Sequence, residues 1–132
     1  MKKFLFLTIA FFGLQLVDAQ EQILQSQDSI YNFKDVDVKP EYPGGMEGFY
    51  KFIAKNFKIP DEEGLKGKIL TTFVIEIDGS LGDIKVLQDI GFGTGIEAVR
   101  VLVMSQKWIP AKLNGVPVRV LYQFPISIST GH

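Results

Sequence analysis

The chain has 132 residues, a length typical of one small domain with a single hydrophobic core. A hydrophobic content of 46% and a charged content of 22% are typical of globular proteins, and a net charge of −1 gives no basic surface for nucleic acid. There are no cysteines, which excludes disulfides and thiolate metal or redox sites, and the single histidine is the last residue, His132, where no catalytic role is expected.

The first nineteen residues have the features of a secretory signal peptide. Two lysines precede the apolar run FLFLTIAFFGLQLV, and V-D-A then provides small or branched residues for a cleavage after Ala19. The run is shorter than the about twenty apolar residues that span a bilayer. We therefore expect export with removal of residues 1–19, and an uncleaved membrane anchor is the alternative.

A polar linker and a short tail are predicted on either side of the folded domain. Residues 20–36, QEQILQSQDSIYNFKDV, are glutamine-rich and weakly patterned, which predicts a linker. Residues 130–132 are predicted to be a tail. The folded domain is therefore expected to cover residues 37–129.

The domain is predicted to open with a helix after the turn PEYPGG. Apolar residues follow at the spacing i, i+3, i+4, i+7 and i+11, and Pro60 ends the element. A role in core packing is favoured over a role as an aromatic ligand groove. The stripe consists of Met46, Phe49, Tyr50, Ile53 and Phe57.

The next segment, GKILTTFVIEIDGSLGDIKVLQ, has the alternation of a β-hairpin, with Asp78-Gly79 as a strong turn signal. Ile84 and Val86 of the second strand are expected to face the core, and the carboxylates around the turn are interpreted as solvated turn charge. The first strand is expected to direct one set of side chains to the same face: Ile69, Thr71, Phe73, Ile75 and Ile77.

Three alternating glycines in QDIGFGTGIEAVRVL suggest a nucleotide-binding loop, but the pattern is incomplete. G-x-G-x-x-G needs a third glycine where this chain has Ile96, and no G-x-x-x-x-G-K-[ST] is present. Thr94 and Glu97 instead predict a helix-capping box after a glycine turn. We therefore expect no cofactor and no enzymatic activity. The buried face of this helix is predicted at Ile96, Val99, Leu102 and Val103.

The last part of the domain is predicted to be one long strand. Trp108 is expected to pack structurally at the junction after the second helix, and Asn114-Gly115 marks a further turn. Strict alternation then runs from residue 116 to residue 128. The inward-facing residues are predicted to be Val118, Val120, Tyr122, Phe124, Ile126 and Ile128.

The order helix, strand, strand, helix, strand predicts an α+β fold, with a three-stranded sheet in the order second–first–third packed against two helices. Pro117 and Pro125 have the same parity, so their missing N–H donors fall on one edge of the last strand. Proline is tolerated only on a solvent edge. The last strand is therefore predicted to be an outer strand with unpaired main chain at Arg119, Leu121 and Gln123.

Several motifs together resemble the C-terminal domain of TonB energy transducers. They are PEYPGG, LKGKILTTFVIEIDGSLGDIKVLQ, GIEAVRVLVMSQKWIPAKLNGVPV and YQFPISI, and the likeness covers residues 37–129. The resemblance implies a periplasmic module that binds the N-terminal box peptide of outer-membrane receptors beside its last strand. It also implies energy supplied by an inner-membrane proton-motive-force complex. The peptide site is expected along Val118, Arg119, Val120, Leu121 and Gln123.

The chain departs from the full-length family pattern in having no clear membrane anchor and no proline-rich spacer. Ala111 also stands where glycine is expected after W-x-P. A module released by signal cleavage would bind peptides without itself transmitting force from the inner membrane. The alternative function is therefore a secreted envelope interaction domain, and homodimerisation through the same edge is a further possibility.

Overall fold

The computed structural model describes residues 28–130 and shows two helices packed against a mixed β-sheet. The predicted signal peptide, residues 20–27 of the predicted linker and residues 131–132 of the predicted tail lie outside this range. Within it, no helix is both long and apolar enough to span a membrane. The helices are α1 (Gly45–Asn56) and α2 (Thr94–Val103), and the strands are β1 (Ile30–Asn32), β2 (Lys66–Ile75), β3 (Leu81–Gln88), β4 (Ala111–Leu113) and β5 (Val116–Ser129).

The predicted α+β fold and the order of the three long strands are confirmed. The sheet runs β1-β5-β2-β3, so β2 lies between the other hairpin strand and the last strand. The β2–β5 pairing is antiparallel and extends from Lys66 opposite Ser129 to Ile75 opposite Val120. The structure adds two three-residue strands that were not predicted, because β1 pairs parallel with β5 and β4 forms a hairpin with it.

The last residues of the predicted linker belong to the fold. Residues 30–32 form β1, a 3-10 turn covers Phe33–Asp35, and Val36 is buried. Tyr31 and Val36 pack with part of β4 and β5 in a small second apolar cluster, which is why this polar segment is ordered here. Thr130, predicted to begin the tail, is also fixed, because its main-chain N–H donates to the Leu65 carbonyl.

The main core lies between the helices and one face of the sheet. Of the predicted α1 stripe, Phe49, Ile53 and Phe57 are buried, whereas Met46 and Tyr50 are exposed at 38% and 55%. The alternation of β5 is confirmed, with a half-buried tyrosine among otherwise buried inward residues. The inward residues of β2 are buried as far as the end of the strand, and Ile77 is exposed beyond it.

Trp108 is structural, as predicted. It is 3% exposed, and its indole lies 4.9 Å from the Phe49 ring and 5.5 Å from both Tyr42 and Tyr122 between ring centroids. Its main-chain N–H donates to the Gly79 carbonyl at 2.8 Å. Gly79 has φ +87°, and a Cβ there would lie 2.0 Å from the Trp108 carbonyl oxygen, so only glycine permits this close approach. The predicted hairpin turn therefore also fixes the segment after α2.

The predicted capping box of α2 is wrong, and of the predicted buried face only Leu102 is fully buried. The Glu97 carboxylate accepts hydrogen bonds from Arg100 and from the main-chain N–H of Lys58, and the Thr94 hydroxyl donates to the Gly91 carbonyl. Both side chains therefore bond to groups other than the two main-chain N–H groups that a capping box satisfies. The face toward the core is formed by Ala98, Val101 and Leu102, while Ile96 and Val103 are exposed and Val99 is half-buried.

Candidate functional site

The outer edge of β5 is the surface that the proline parity singled out. β5 lies between β1 and β2, so one of its edges is paired with β2, and the other, which we call the outer edge, carries β1 over three residues. Val118 and Val120, expected at the peptide site, are fully buried, and their side chains belong to the second apolar cluster. Their contribution at the edge is therefore limited to the main chain.

Arg119 is engaged by two segments. Its guanidinium forms a two-point contact with Glu76, at 2.8 Å from Nε to Oε2 and 3.1 Å from Nη2 to Oε1. Its Nη1 also donates to the Asp28 carbonyl at 3.1 Å. The hydrogen bonds that Arg119 donates to the Glu76 carboxylate raise the pKa of Arg119 above its ordinary value, against the opposing effect of partial burial. Arg119 therefore links the end of β2 to the start of β1.

The first part of the outer edge is paired, which corrects the prediction of unpaired main chain at Arg119 and Leu121. β1 lies parallel to it, with Ile30 opposite Arg119 and Asn32 opposite Leu121. Beyond these residues the edge is open, because no strand among residues 28–130 pairs with the outer side of residues 122–129. Gln123 is thus the only outward residue of the expected site that lies on the open part, which we call the open edge.

An apolar groove of about 460 Å³ runs beside the open edge. One wall is α1 with the segment that follows it, and the other wall is β5. Tyr50 and Ile59 are about half exposed at 55% and 56%, so the groove presents large apolar side chains to solvent. The lining residues are Tyr50, Ile53, Ala54, Phe57, Ile59 and residues 124–128.

A second open cavity, of about 540 Å³, lies where β1 ends. Phe33 and Leu121 contribute to its lining together with Gln123, the first outward residue of the open edge. The Phe33 ring packs edge-on against Tyr122, with centroids 5.4 Å apart. Burial raises the pKa of the Tyr122 hydroxyl, so this group is neutral at physiological pH. The cavity between β1 and the open edge is therefore lined by two aromatic rings, with Lys34 as its charged residue.

The glycine loop and the hairpin carboxylates show the local roles expected from the sequence. Gly91 and Gly93 both have positive φ in the turn before α2, and the Asp89 carboxylate accepts the Gly91 N–H. At the hairpin turn, hydrogen bonds from Ser80 to the Asp78 carboxylate lower the pKa of Asp78. Within residues 28–130 no group of three or more acidic or histidine side chains is placed to hold a metal ion.

Sequence reasoning missed both β1 and the groove. A three-residue strand has no usable periodicity, so β1 gives no signal in a polar segment. The groove depends on Ile59 and on the exposed side of α1, whose apolar stripe favours core packing over a ligand groove when judged from the sequence alone. The sequence signal that could have pointed to it is a tyrosine, Tyr50, within that apolar stripe, because its polar hydroxyl favours contact with solvent.

Comparison with known proteins gives one family. The family model described as Gram-negative bacterial TonB protein C-terminal matches residues 58–128, which include β2, β3, α2, β4 and nearly all of β5. No curated protein and no solved structure matches the chain. The matched region contains the open edge and the β5 wall of the groove, whereas β1 and α1 precede it.

Proposed function

This chain belongs to the family of Gram-negative bacterial TonB C-terminal domains, and on that premise we propose that it binds the N-terminal box peptide of an outer-membrane receptor by strand addition to β5. The family is a transport-related, envelope-associated family of non-enzymatic energy-transduction modules. The receptor peptide and the docking edge are the parts that this proposal adds.

The open edge is the observation that carries the proposal. On its inner side β5 pairs with β2 over the whole length of that strand, so the edge is held rigidly. On its outer side, residues 122–129 offer main-chain donors and acceptors to a guest strand. Strand addition uses such an edge, with main-chain hydrogen bonds giving affinity and side-chain pockets giving specificity.

The apolar groove supplies the side-chain part of the recognition. A strand laid along the open edge directs alternate side chains toward α1, where Tyr50, Phe57 and Ile59 line the groove. Pro125 offers no N–H at the middle of this edge, so a guest strand gains at most a carbonyl contact there. We therefore expect a guest with large apolar residues at alternate positions.

Gln123 allows a test of main-chain pairing with a matched control. Gln123→Pro removes the outward N–H, whereas Gln123→Ala removes the side chain and keeps the N–H. Loss of one main-chain hydrogen bond, about 0.5–1.5 kcal/mol, weakens binding by roughly 2- to 13-fold, before any obstruction by the ring. The measurement is titration with synthetic N-terminal box peptides of candidate outer-membrane receptors, after circular dichroism has shown that both variants are folded.

The two variants must differ for the proposal to stand. Binding by Gln123→Ala should match wild type, and binding by Gln123→Pro should be weaker. Equal affinities for all three proteins would place the peptide elsewhere, and failure of every receptor peptide to bind wild type would refute receptor binding.

The chain is further proposed to reach the periplasm through cleavage after Ala19. Mass spectrometry of the protein purified from the envelope tests this. A mature protein that begins at Gln20 supports a soluble peptide-binding module. A protein that begins at Met1 and fractionates with the inner membrane supports direct coupling to the proton-motive-force complex.

A further inference from the structure

The chain supplies its own strand to the edge proposed for guests. β1 is parallel to β5 and covers residues 119–121, immediately before the open edge begins. The parity of Pro117 and Pro125 directs the main-chain N–H groups of Arg119 and Leu121 outward, toward β1. The edge predicted as a peptide site is therefore already occupied at residues 119–121 by a peptide of this chain.

Contacts at its start, in its middle and at its end hold this segment in place. At its start the Asp28 carbonyl accepts a hydrogen bond from the Arg119 guanidinium, and in its middle Tyr31 packs on the second apolar cluster. At its end the Phe33 ring lies edge-on to Tyr122, and the Phe33 carbonyl accepts a 2.7 Å hydrogen bond from Lys39 Nζ. The segment is thus bound by a hydrogen bond from the Arg119 side chain, an apolar contact and an aromatic contact, which are the kinds of contact that hold a docked peptide.

The same segment contributes little to the core. None of residues 28–35 is buried, and only Tyr31 is half-buried. Firm attachment begins at the buried Val36, after which the main-chain N–H groups of Asp37 and Val38 both donate to the Lys112 carbonyl. Residues 28–35 can therefore leave the edge while Val36 and the following chain keep the domain intact.

We propose that residues 28–35 are an internal competitor for the docking edge, which a guest strand displaces when it pairs with residues 119–121. This inference rests on the proposed function for the identity of the guest. The internal segment also indicates the guest chemistry for this part of the edge. The guest runs parallel to β5, with a large apolar or aromatic residue in place of Tyr31 and an aromatic residue in place of Phe33.

The competitor lowers the apparent affinity for a guest. A segment tethered by a few residues has an effective concentration on the order of millimolar. If β1 covers the edge in about nine molecules of ten, a guest that needs residues 119–121 binds about tenfold more weakly than it would to the uncovered edge. A guest confined to residues 122–129 is unaffected.

Two proline variants distinguish a domain whose edge is uncovered from one whose edge is still covered by β1. Tyr31→Pro removes the N–H that faces Arg119 and the side chain on the second cluster, so β1 should detach. Asn32→Pro is the matched control, because Asn32 has φ −74°, which proline adopts, and its N–H faces away from β5. The probe is a synthetic peptide of residues 28–35, DSIYNFKD, added to the full mature chain.

Tyr31→Pro should bind the probe at least about tenfold more tightly than wild type, and its Leu121 amide should exchange with solvent at least about tenfold faster. Asn32→Pro should behave as wild type in both measurements. Equal exchange at Leu121 in wild type and Tyr31→Pro, or no probe binding to Tyr31→Pro, overturns the inference.

A reversible cross-link provides the opposite perturbation. The chain has no cysteine, so Asn32→Cys with Leu121→Cys, which are opposite each other in register, introduces a single disulfide that fixes β1 on the edge. The oxidised protein should not bind the probe, and reduction should restore the wild-type level. Probe binding in the oxidised state overturns the inference.

Failure of this inference is distinguishable from failure of the proposed function. The probe is the chain's own segment, so these measurements need no receptor. Probe binding to Tyr31→Pro without binding of any receptor peptide refutes the proposed function and leaves the internal competitor standing. Receptor peptides that bind wild type, Tyr31→Pro and the oxidised protein equally, while the probe does not bind Tyr31→Pro, leave the proposed function standing and refute the competition.

Discussion

Truncation of Trp108 tests whether the junction after α2 is held by the core. The indole lies among four aromatic rings and is 3% exposed, and its Nε1 donates to the Ser105 hydroxyl at 3.2 Å. Trp108→Ala removes all of these contacts and leaves a large cavity. The neighbouring rings are those of Tyr42, Phe49, Phe73 and Tyr122.

The expected loss is large for a domain of this size. Replacing a buried tryptophan by alanine costs about 3–5 kcal/mol, and aromatic pairs of this geometry favour the upper end. A small domain is stabilised by only about 5–15 kcal/mol in total. Since each kcal/mol lowers the melting temperature of a domain of about 100 residues by roughly 4–8 °C, the decrease should be at least about 12 °C.

Thermal and urea unfolding followed by far-UV circular dichroism measure this loss. Dichroism is needed because Trp108 is the only tryptophan, so its replacement removes the fluorescence signal. Ile109→Ala is the matched control, because this neighbouring side chain is 54% exposed and its removal should change the free energy of unfolding by less than about 1 kcal/mol. A melting temperature of Trp108→Ala within 3 °C of wild type would refute the reasoning.

Two further predictions concern a turn and an ion pair. Gly79→Ala forces a Cβ against the Trp108 carbonyl and should lower the free energy of unfolding, measured in urea, by more than about 3 kcal/mol. Gly64→Ala, which is also at positive φ but in open space, should lower it by about 1–2 kcal/mol. Similar losses for the two variants would contradict the close approach. Hydrogen bonds from Arg100 lower the pKa of Glu97 below its ordinary 4.5, so the stabilisation is complete above that pH and is lost as the pH falls through the lowered pKa. Between pH 6 and about pH 3 wild type should therefore lose more stability than Glu97→Gln, and equal losses would show that the pair contributes nothing.

Strict alternation and the two prolines made the long strands predictable from the sequence. Burial of alternate residues fixed the inward face of β5, and the shared parity of Pro117 and Pro125 identified its outer edge. The same reasoning could not show that part of this edge is covered. β1 has three residues and little buried surface, so its pairing depends on Arg119, Tyr122 and the second apolar cluster, which come together only in the folded chain.

The orientation of α2 shows a second limit. Ile96, Val99, Val101, Leu102 and Val103 are all apolar, so the stripe on this helix is too broad to define which side faces the core. In the structure the side that contains Ala98 faces the core, and Ile96 is 81% exposed. The capping box failed for a related reason, because the Glu97 carboxylate found a partner 39 residues away in sequence.

The length of β5 has a mechanical consequence. Its 14 residues extend over roughly 45 Å, and the ten residues of β2 are bonded along most of one side. A guest strand lying along the other side and pulled in the direction of its own chain would load all of its main-chain hydrogen bonds at once. Such shear loading resists far greater tension than opening the same bonds one after another from an end. The tension needed to detach the guest strand from the domain would thus depend on the direction of pull.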